Sequence, residues 1–334
     1  MKAKAAVSAS ILLVTTLLLI LLSPEPAASV RGFFSGPFRN LYSFGSFLAS
    51  ASLLTIAGTG AALAFRGGAF NLGGEGQVYC GAVSALSAGL LLPALPGNLG
   101  TPLLLLTAAS AGFIIALFSG WLKYRFSIHE LISTYLISST LVFLCDFLIS
   151  GPLRDEESFL IATPRIPEAY ALQQILPPSP LHTGVFIALA TALAAHLWLN
   201  RSVRGYRLRI YGENPACIRF AGIREKTYAL LPIALSGGLY GLAGGVALLG
   251  IHFRGIQGFT AGLGWNGIAV ALIAGLSPAA AAAAAVLIAF IEIGISAAMA
   301  GASVTYDLGL MIRGIILIMV TMKVFTSNRK EELL

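Results

Sequence analysis

Apolar positions in this chain neither alternate nor fall at helical intervals; they run on. Near-continuous apolar stretches, close to the ~20 residues a helix needs to cross a hydrocarbon core, occupy 6–22, 41–65, 77–95, 101–122, 128–150, 182–199, 228–251, 256–277, 279–299 and 306–325. They predict an all-α polytopic membrane protein of about ten transmembrane helices, organised as one membrane domain over residues 1–334. The first stretch follows Lys2 and Lys4 and has the build of a secretory signal, with Ala27-Ala28-Ser29 as a conceivable cleavage region. Ser23-Pro24-Glu25-Pro26 argues against cleavage, so an uncleaved anchor is the favoured reading.

Two stretches interrupt the pattern. Residues 67–76 read Gly-Gly-Ala-Phe-Asn-Leu-Gly-Gly-Glu-Gly, and 255–267 read Gly-Ile-Gln-Gly-Phe-Thr-Ala-Gly-Leu-Gly-Trp-Asn-Gly. Glycine at this density weakens a helix, and irregular backbone inside a membrane is tolerated only against protein or water. The two occupy corresponding places if spans 2–5 and 7–10 form an inverted repeat, an arrangement that points to a substrate path. The competing account makes both of them simple glycine-rich turns.

Composition excludes the ordinary alternatives. The chain is 57% hydrophobic and 10% charged, against about a quarter charged in soluble domains. Its formal charge of +7 needs no nucleic-acid partner, because the positive residues sort by side. With the N-terminus inside, the cytoplasmic face collects Lys2, Lys4, Arg66, Lys123, Arg125, seven basic residues in the loop 200–227, and Lys323, Arg329 and Lys330. The outer face receives Arg31, Arg39, Arg154, Arg165 and Arg254. The positive-inside rule then puts both termini in the cytoplasm.

Catalytic chemistry is missing. No Walker-type phosphate loop, HExxH or GxSxG motif occurs, and the three cysteines and four histidines show neither metal-ligand nor triad spacing. Leu235-Ser236-Gly237-Gly238 imitates the start of an ABC ATPase signature. It lies inside a span, however, where Gly237, Gly241 and Gly245 share a face that suits close helix packing. Glu292 and Arg313 lie within spans at matching depths on antiparallel neighbours. A buried ion pair is expected, with a substrate or proton relay as the alternative.

The loop 200–227 carries a short helix. Asn214 suits the cap, Pro215 the first helical position and Gly222 the stop, with Ala216 to Ala221 between them. By its residues alone it reads as a surface helix or a docking element. The outer segment 151–181 holds six of the 15 prolines and the cluster Arg154-Asp155-Glu156-Glu157. Stiffened backbone is inexpensive to order on binding, so this segment is either a docking surface or a solvated loop.

The residues also carry a resemblance. Phe70-Asn71-Leu72-Gly73-Gly74-Glu75-Gly76-Gln77 resembles the Phe-Asn-Ile-Gly-x-Glu-Gly-Gln signature of bacterial ABC importer permeases for nucleosides and simple sugars. Gly212-Glu213-Asn214-Pro215 with Arg219-Phe220-Ala221-Gly222-Ile223 is similar to their cytoplasmic Gly-x-Asn-Pro segment. Gly264-Trp265-Asn266-Gly267-Ile268-Ala269-Val270-Ala271-Leu272 is similar to their Gly-Phe-x-Gly-Ile-Ala-Val-Ala-Leu stretch, and His129-Glu130-Leu131-Ile132-Ser133-Thr134 to their Asn-Glu-Val-Ile-x-Thr. The matches run from about residue 65 to 275; His129, Phe220 and Trp265-Asn266 depart from the usual residues.

What the resemblance implies is a permease of the bacterial cytoplasmic membrane, with no cofactor of its own, embedded in lipid. Its partners would be ABC ATPase subunits holding ATP and Mg, a second permease (identical or related) and an extracytoplasmic solute-binding lipoprotein. Glu213, Asn214, Pro215, Arg219, Phe220 and Gly222 would form the helix that couples to the ATPase. Asn71, Glu75, Gln77, Trp265 and Asn266 would line the substrate path, offering amides, a carboxylate and an aromatic face to a nucleoside-like solute. Asn71 and Glu75 equally suit capping of the third span. Riboflavin or a ribose-type sugar is the alternative solute, and an ion-coupled secondary carrier the alternative class.

Overall fold

The computed structural model describes residues 2–92, 95–301, 311, 314, 315 and 318. Helix α1 (Lys2–Leu22) is followed by α2 (Pro26–Ser35), which starts on proline, and by a short 3-10 turn at Gly36–Phe38. The long helix α3 (Leu41–Arg66) is capped by Asn40, whose side chain accepts from the Ser43 amide at 2.7 Å. Next come α4 (Gly74–Leu91), α5 (Gly97–Phe126) and α6 (Glu130–Ser150). After an irregular segment, α7 (Gly184–Arg201), α8 (Val203–Glu213) and α9 (Pro215–Phe220) lead into α10 (Glu225–Ala247). A π-helical turn at Leu248–His252 extends α10, and α11 (Leu263–Ile273) and α12 (Pro278–Gly301) complete the described helices.

Six helices among the described residues are long and apolar enough to cross a membrane: α3, α5, α6, α7, the run Glu225–His252 and Pro278–Ala300. Two shorter apolar helices, Ser8–Leu22 and Leu263–Ile273, accompany them. The stretch at 77–95 becomes α4, whose 18 residues open on Gly-Glu-Gly-Gln and pack against α10, α5 and α6. The stretch at 256–277 shrinks to the 11 residues of α11. The reason is local: Gly258 and Gly262 take left-handed φ of 66° and 84°, so the chain turns before a helix starts. Residues 306–325 fall largely outside the described residues.

The core is built around α10, which packs against α5, α3 and α4. Small residues set the spacing. A Cβ on Gly241 would sit 2.2 Å from the Ala108 carbonyl oxygen, and one on Gly244 would sit 2.0 Å from that of Val78. A Cβ on Gly112 would meet the Gly237 carbonyl oxygen at 2.1 Å. Backbones therefore touch, and dispersion and close packing hold the helices where apolar burial gains nothing over lipid. Gly237, Gly241 and Gly245 serve the packing role that their spacing predicts. The helices α3 and α10 bury most of their surface, while α5, α6 and α7 leave most of theirs outward.

The segment 151–183 folds back over one end of this core. Thr163 and Ile166 donate backbone hydrogen bonds to Gly255 and Phe253 at 3.0 and 2.9 Å, and Leu172 donates to Leu249 at 2.8 Å. Its tip, Phe159-Leu160-Ile161, is exposed beside Asp155, Glu156 and Glu157.

Candidate functional site

The two glycine-rich segments meet near the middle of the 28-residue run Glu225–His252. Residues 67–73 leave the end of α3 and turn inward, with Gly68 at φ 70°. The Leu72 amide donates to Thr134 Oγ1 at 3.1 Å and the Gly76 amide to Ser138 Oγ at 2.8 Å, which fastens the segment to α6. Asn71 donates to Gln77 Oε1 at 2.8 Å and to Ser236 Oγ at 3.1 Å. Gln77 Nε2 returns a bond to Asn71 Oδ1 at 3.1 Å, and the Gly73 amide donates to the same oxygen at 2.9 Å. This closed set satisfies two amides that are fully buried, as interior polar groups require.

Glu75 makes the link between the segments. Its Oε1 accepts from the Gly262 amide at 2.9 Å and its Oε2 from the Gly264 amide at 2.8 Å. Gly262 is the cap position of α11, which has no side chain of its own to cap the helix. A carboxylate at a helix N-terminus satisfies otherwise orphaned donors and meets the positive end of the helix dipole. The contact is close enough to exclude a methyl group: a Cβ on Gly264 would lie 2.2 Å from the Glu75 nitrogen and 2.4 Å from the Gly74 carbonyl carbon. Tyr240 Oη of α10 donates to the Gly264 carbonyl at 3.3 Å, and its ring fills the space a Gly74 side chain would need.

Of the five path residues, Asn71 and Gln77 thus face each other inside the protein, and Glu75 faces the other glycine segment. Trp265 is half-buried, its ring 6.2 Å from that of Tyr135. Asn266 is buried and donates through Nδ2 to Glu292 Oε1. Ser50 Oγ of α3 donates to the second oxygen of Glu292 at 2.9 Å. Arg313, the expected partner of Glu292, lies outside the described residues, while Ser50 and Asn266 were not anticipated as companions of that acid. Sequence reasoning missed Ser138 and Tyr240, and it quoted Thr134 and Ser236 inside longer stretches without the holding role they have here. A lone hydroxyl inside an apolar helix carries no pattern that names its partner.

On one side of the crossing lies a cavity of about 320 Å³. Leu263, the first residue of α11, lines it together with Ser46, Ser50, Phe259, Thr260 and Glu292. The cavity therefore abuts the crossing on the side of the 253–262 loop.

At the far end of the helices, α9 forms its own feature. Asn214 Oδ1 accepts from the Ala216 amide at 3.0 Å, Pro215 fills the first position, and Gly222 takes φ 68°. Ile223 donates to the Ile218 carbonyl at 3.1 Å, the wide turn of a helix that ends on a left-handed residue. Ile218 packs with Leu63, Leu208 and Tyr228, whereas Glu213, Asn214, Pro215, Arg219, Phe220 and Gly222 are exposed. Arg219 Nε lies 3.8 Å from Glu225.

The profile of the branched-chain amino acid transport system permease component family matches residues 43–321. The guanosine ABC transporter permease protein NupP of Bacillus subtilis (strain 168) is 32% identical over 274 residues, covering 80% of this chain and 78% of that protein. The Probable riboflavin import permease protein RfuC of Treponema pallidum (strain Nichols) is 30% identical over 315 residues, covering 92% and 82%. The nucleoside ABC transporter permease protein NupB of Lactococcus lactis subsp. cremoris (strain MG1363) is 24% identical over 279 residues, covering 81% and 77%. No solved structure matches the chain.

Proposed function

The chain belongs to the branched-chain amino acid transport system permease component family, and from that membership we propose that it is the membrane subunit of an ATP-driven importer for a nucleoside-like solute. The observation that carries the solute class is the likeness to permeases named for guanosine and nucleosides. The likeness to a riboflavin permease keeps riboflavin as the second reading.

In this reading the subunit sits in a bacterial cytoplasmic membrane with both termini inside, beside a second permease. Partner ATPases dock on α9, whose exposed Phe220 and Arg219 surround a buried Ile218 anchor. A binding lipoprotein docks on the opposite end, where the apolar tip at Phe159 stands among acidic residues. Solute enters the cavity beside Glu292, and the crossing of Glu75 with Gly262 and Gly264 is the closed floor beneath it. Nucleotide-driven closure of the ATPases moves α9 and shifts the population toward a state in which that floor is open.

The test is recovery of the tagged chain from its native membrane with every stoichiometric partner, followed by reconstitution of that assembly. Co-purification of an ATPase and a binding lipoprotein, with guanosine uptake that requires ATP, is the expected result. Guanosine uptake by this chain alone, without ATP, would establish a secondary carrier and overturn the reading.

A further inference from the structure

A cavity of about 850 Å³, separate from the one beside Glu292, opens between α5, α7 and α10. We propose that it holds an acyl chain of an anionic glycerophospholipid, whose phosphate sits on Arg204. The site needs only that the chain spans a membrane; it depends neither on the solute nor on an ATPase.

Helix packing creates the groove. α5 packs on α10 and α7 packs on α3, and the gap between these flanking helices is floored by Leu63 of α3. Ala109, Ala194 and Gly238 keep its walls low. Gly238 differs from Gly237 and Gly241, which press on neighbouring backbone. A Cβ there would meet its nearest atoms at 3.5 Å, an ordinary contact, so helix approach does not require this glycine. Leu106 and Ile114, also in the lining, are exposed, so the groove is open to lipid.

Length selects the occupant. Along α10 the lining runs from Leu231 to Leu242, a rise of roughly 17 Å at ~1.5 Å per residue. That is about half of the ~30 Å hydrocarbon core, the depth of one leaflet. Apolar burial gains nothing over lipid here, but an unfilled cleft forfeits dispersion contacts. A flexible acyl chain restores them.

Charge selects the headgroup. Among the described residues Arg204, in the first turn of α8, is the one charged member of the lining. Trp198, in the last turn of α7, lines the same end; tryptophan is the residue type that settles at membrane interfaces. Nearby acids are already engaged: Glu130 takes Lys123 at 2.7 Å, and Glu225 faces Arg219 at 3.8 Å. Among the described residues no acid pairs with Arg204. A guanidinium matches the geometry of a phosphate, and a cation at the end of an apolar slot suits an anionic headgroup. Two hydroxyls complete the lining and do not compete for the phosphate. Thr191 Oγ1 donates to the Ala188 carbonyl at 2.9 Å, and Ser110 lies on α5, on the exposed side.

The experiment titrates the full chain, delipidated in mild detergent, with phosphatidylglycerol or phosphatidylcholine of identical acyl chains. Bound lipid is counted by native mass spectrometry. The first phosphatidylglycerol should bind about fivefold more tightly than the first phosphatidylcholine, the size of one cation acting on an anionic headgroup. Arg204→Gln should erase that preference while phosphatidylcholine binding stays unchanged, a result that a misfolded chain cannot imitate. Arg204→Lys should keep most of it. Ala194→Phe, at an exposed position, fills the groove and should weaken both lipids severalfold. A phosphatidylglycerol with a photoreactive acyl chain should label peptides around Phe113, Trp198 and Leu235. Equal affinity for the two lipids, a preference that survives Arg204→Gln, or labelling confined to other helices would overturn the proposal. So would a dimer in which a second copy of the chain covers Trp198 and keeps lipid out of the groove.

Discussion

Ile218 and Phe220 sit two residues apart on one short helix, yet Ile218 is 2% exposed and Phe220 is 91% exposed. A large apolar ring held out from a well-capped helix has no role in the stability of this chain. Phe220→Ser is expected to leave thermal stability nearly unchanged, within about 0.5 kcal/mol. The same change should abolish co-purification of the ATPase and ATP-driven uptake. Ile218→Ala should do the reverse of a surface change and destabilise the loop by about 2–5 kcal/mol, read as a drop in the melting temperature of the purified chain.

Glu75→Gln keeps the size of the side chain and removes its charge. An amide has one acceptor oxygen, so only one of the Gly262 and Gly264 amides retains its bond. Losing a hydrogen bond to a charged group costs about 1.5–3 kcal/mol. The first turn of α11 should fray, seen as faster amide exchange at 262–266. An exchange rate equal to that of the unaltered protein would show that the carboxylate does not cap α11.

Two glycines with contrasting surroundings test the crossing directly. Gly264→Ala drives a methyl into backbone at 2.2 Å, and overpacking of this kind costs about 1–3 kcal/mol or more. Gly222→Ala meets nothing within 4 Å and pays only for its φ of 68°, about 1–2 kcal/mol. Uptake should be lost in the first variant even after stabilising conditions restore its expression. In the second variant it should fall only in proportion to the reduced order of α9.

Asn266→Asp replaces the donor that reaches Glu292 with a second carboxylate. The variant loses a hydrogen bond to a charged group, which costs about 1.5–3 kcal/mol, and sets a second carboxylate beside the first. A lower melting temperature of the purified chain is the expected outcome, and an unchanged one would show that the Asn266 to Glu292 bond does not hold α11 to α12.

Much of this was legible in the chain itself. The apolar runs identify the long helices, because lipid forces every backbone group into an internal hydrogen bond. The cap of α9 is written in Asn214, Pro215 and Gly222, a purely local code. The meeting of the two glycine segments was only half legible: glycine density marks both as irregular, but which side chain joins them is a long-range fact. Asn71 and Gln77 read as ligand-binding amides and turn out to bond each other, because an amide in a sequence does not announce its partner. The 256–277 stretch is apolar enough for a span, yet left-handed Gly258 and Gly262 start the helix late. Hydropathy does not register a turn made of small apolar residues.

The bond between Glu75 and Gly264 joins residues 189 positions apart, and that separation has a meaning in time. At synthesis rates of about 5–20 residues per second, Glu75 leaves the ribosome roughly 10–40 s before its partner exists. During that interval an acid near the start of α4 has no capped helix to answer it, and α4 is too polar at that end to rest easily in lipid. Insertion of α4 must therefore wait, sheltered by the translocation machinery or left at the membrane surface, until α10 and α11 arrive. A chain truncated before residue 262 is accordingly the form that quality-control proteases should recognise first.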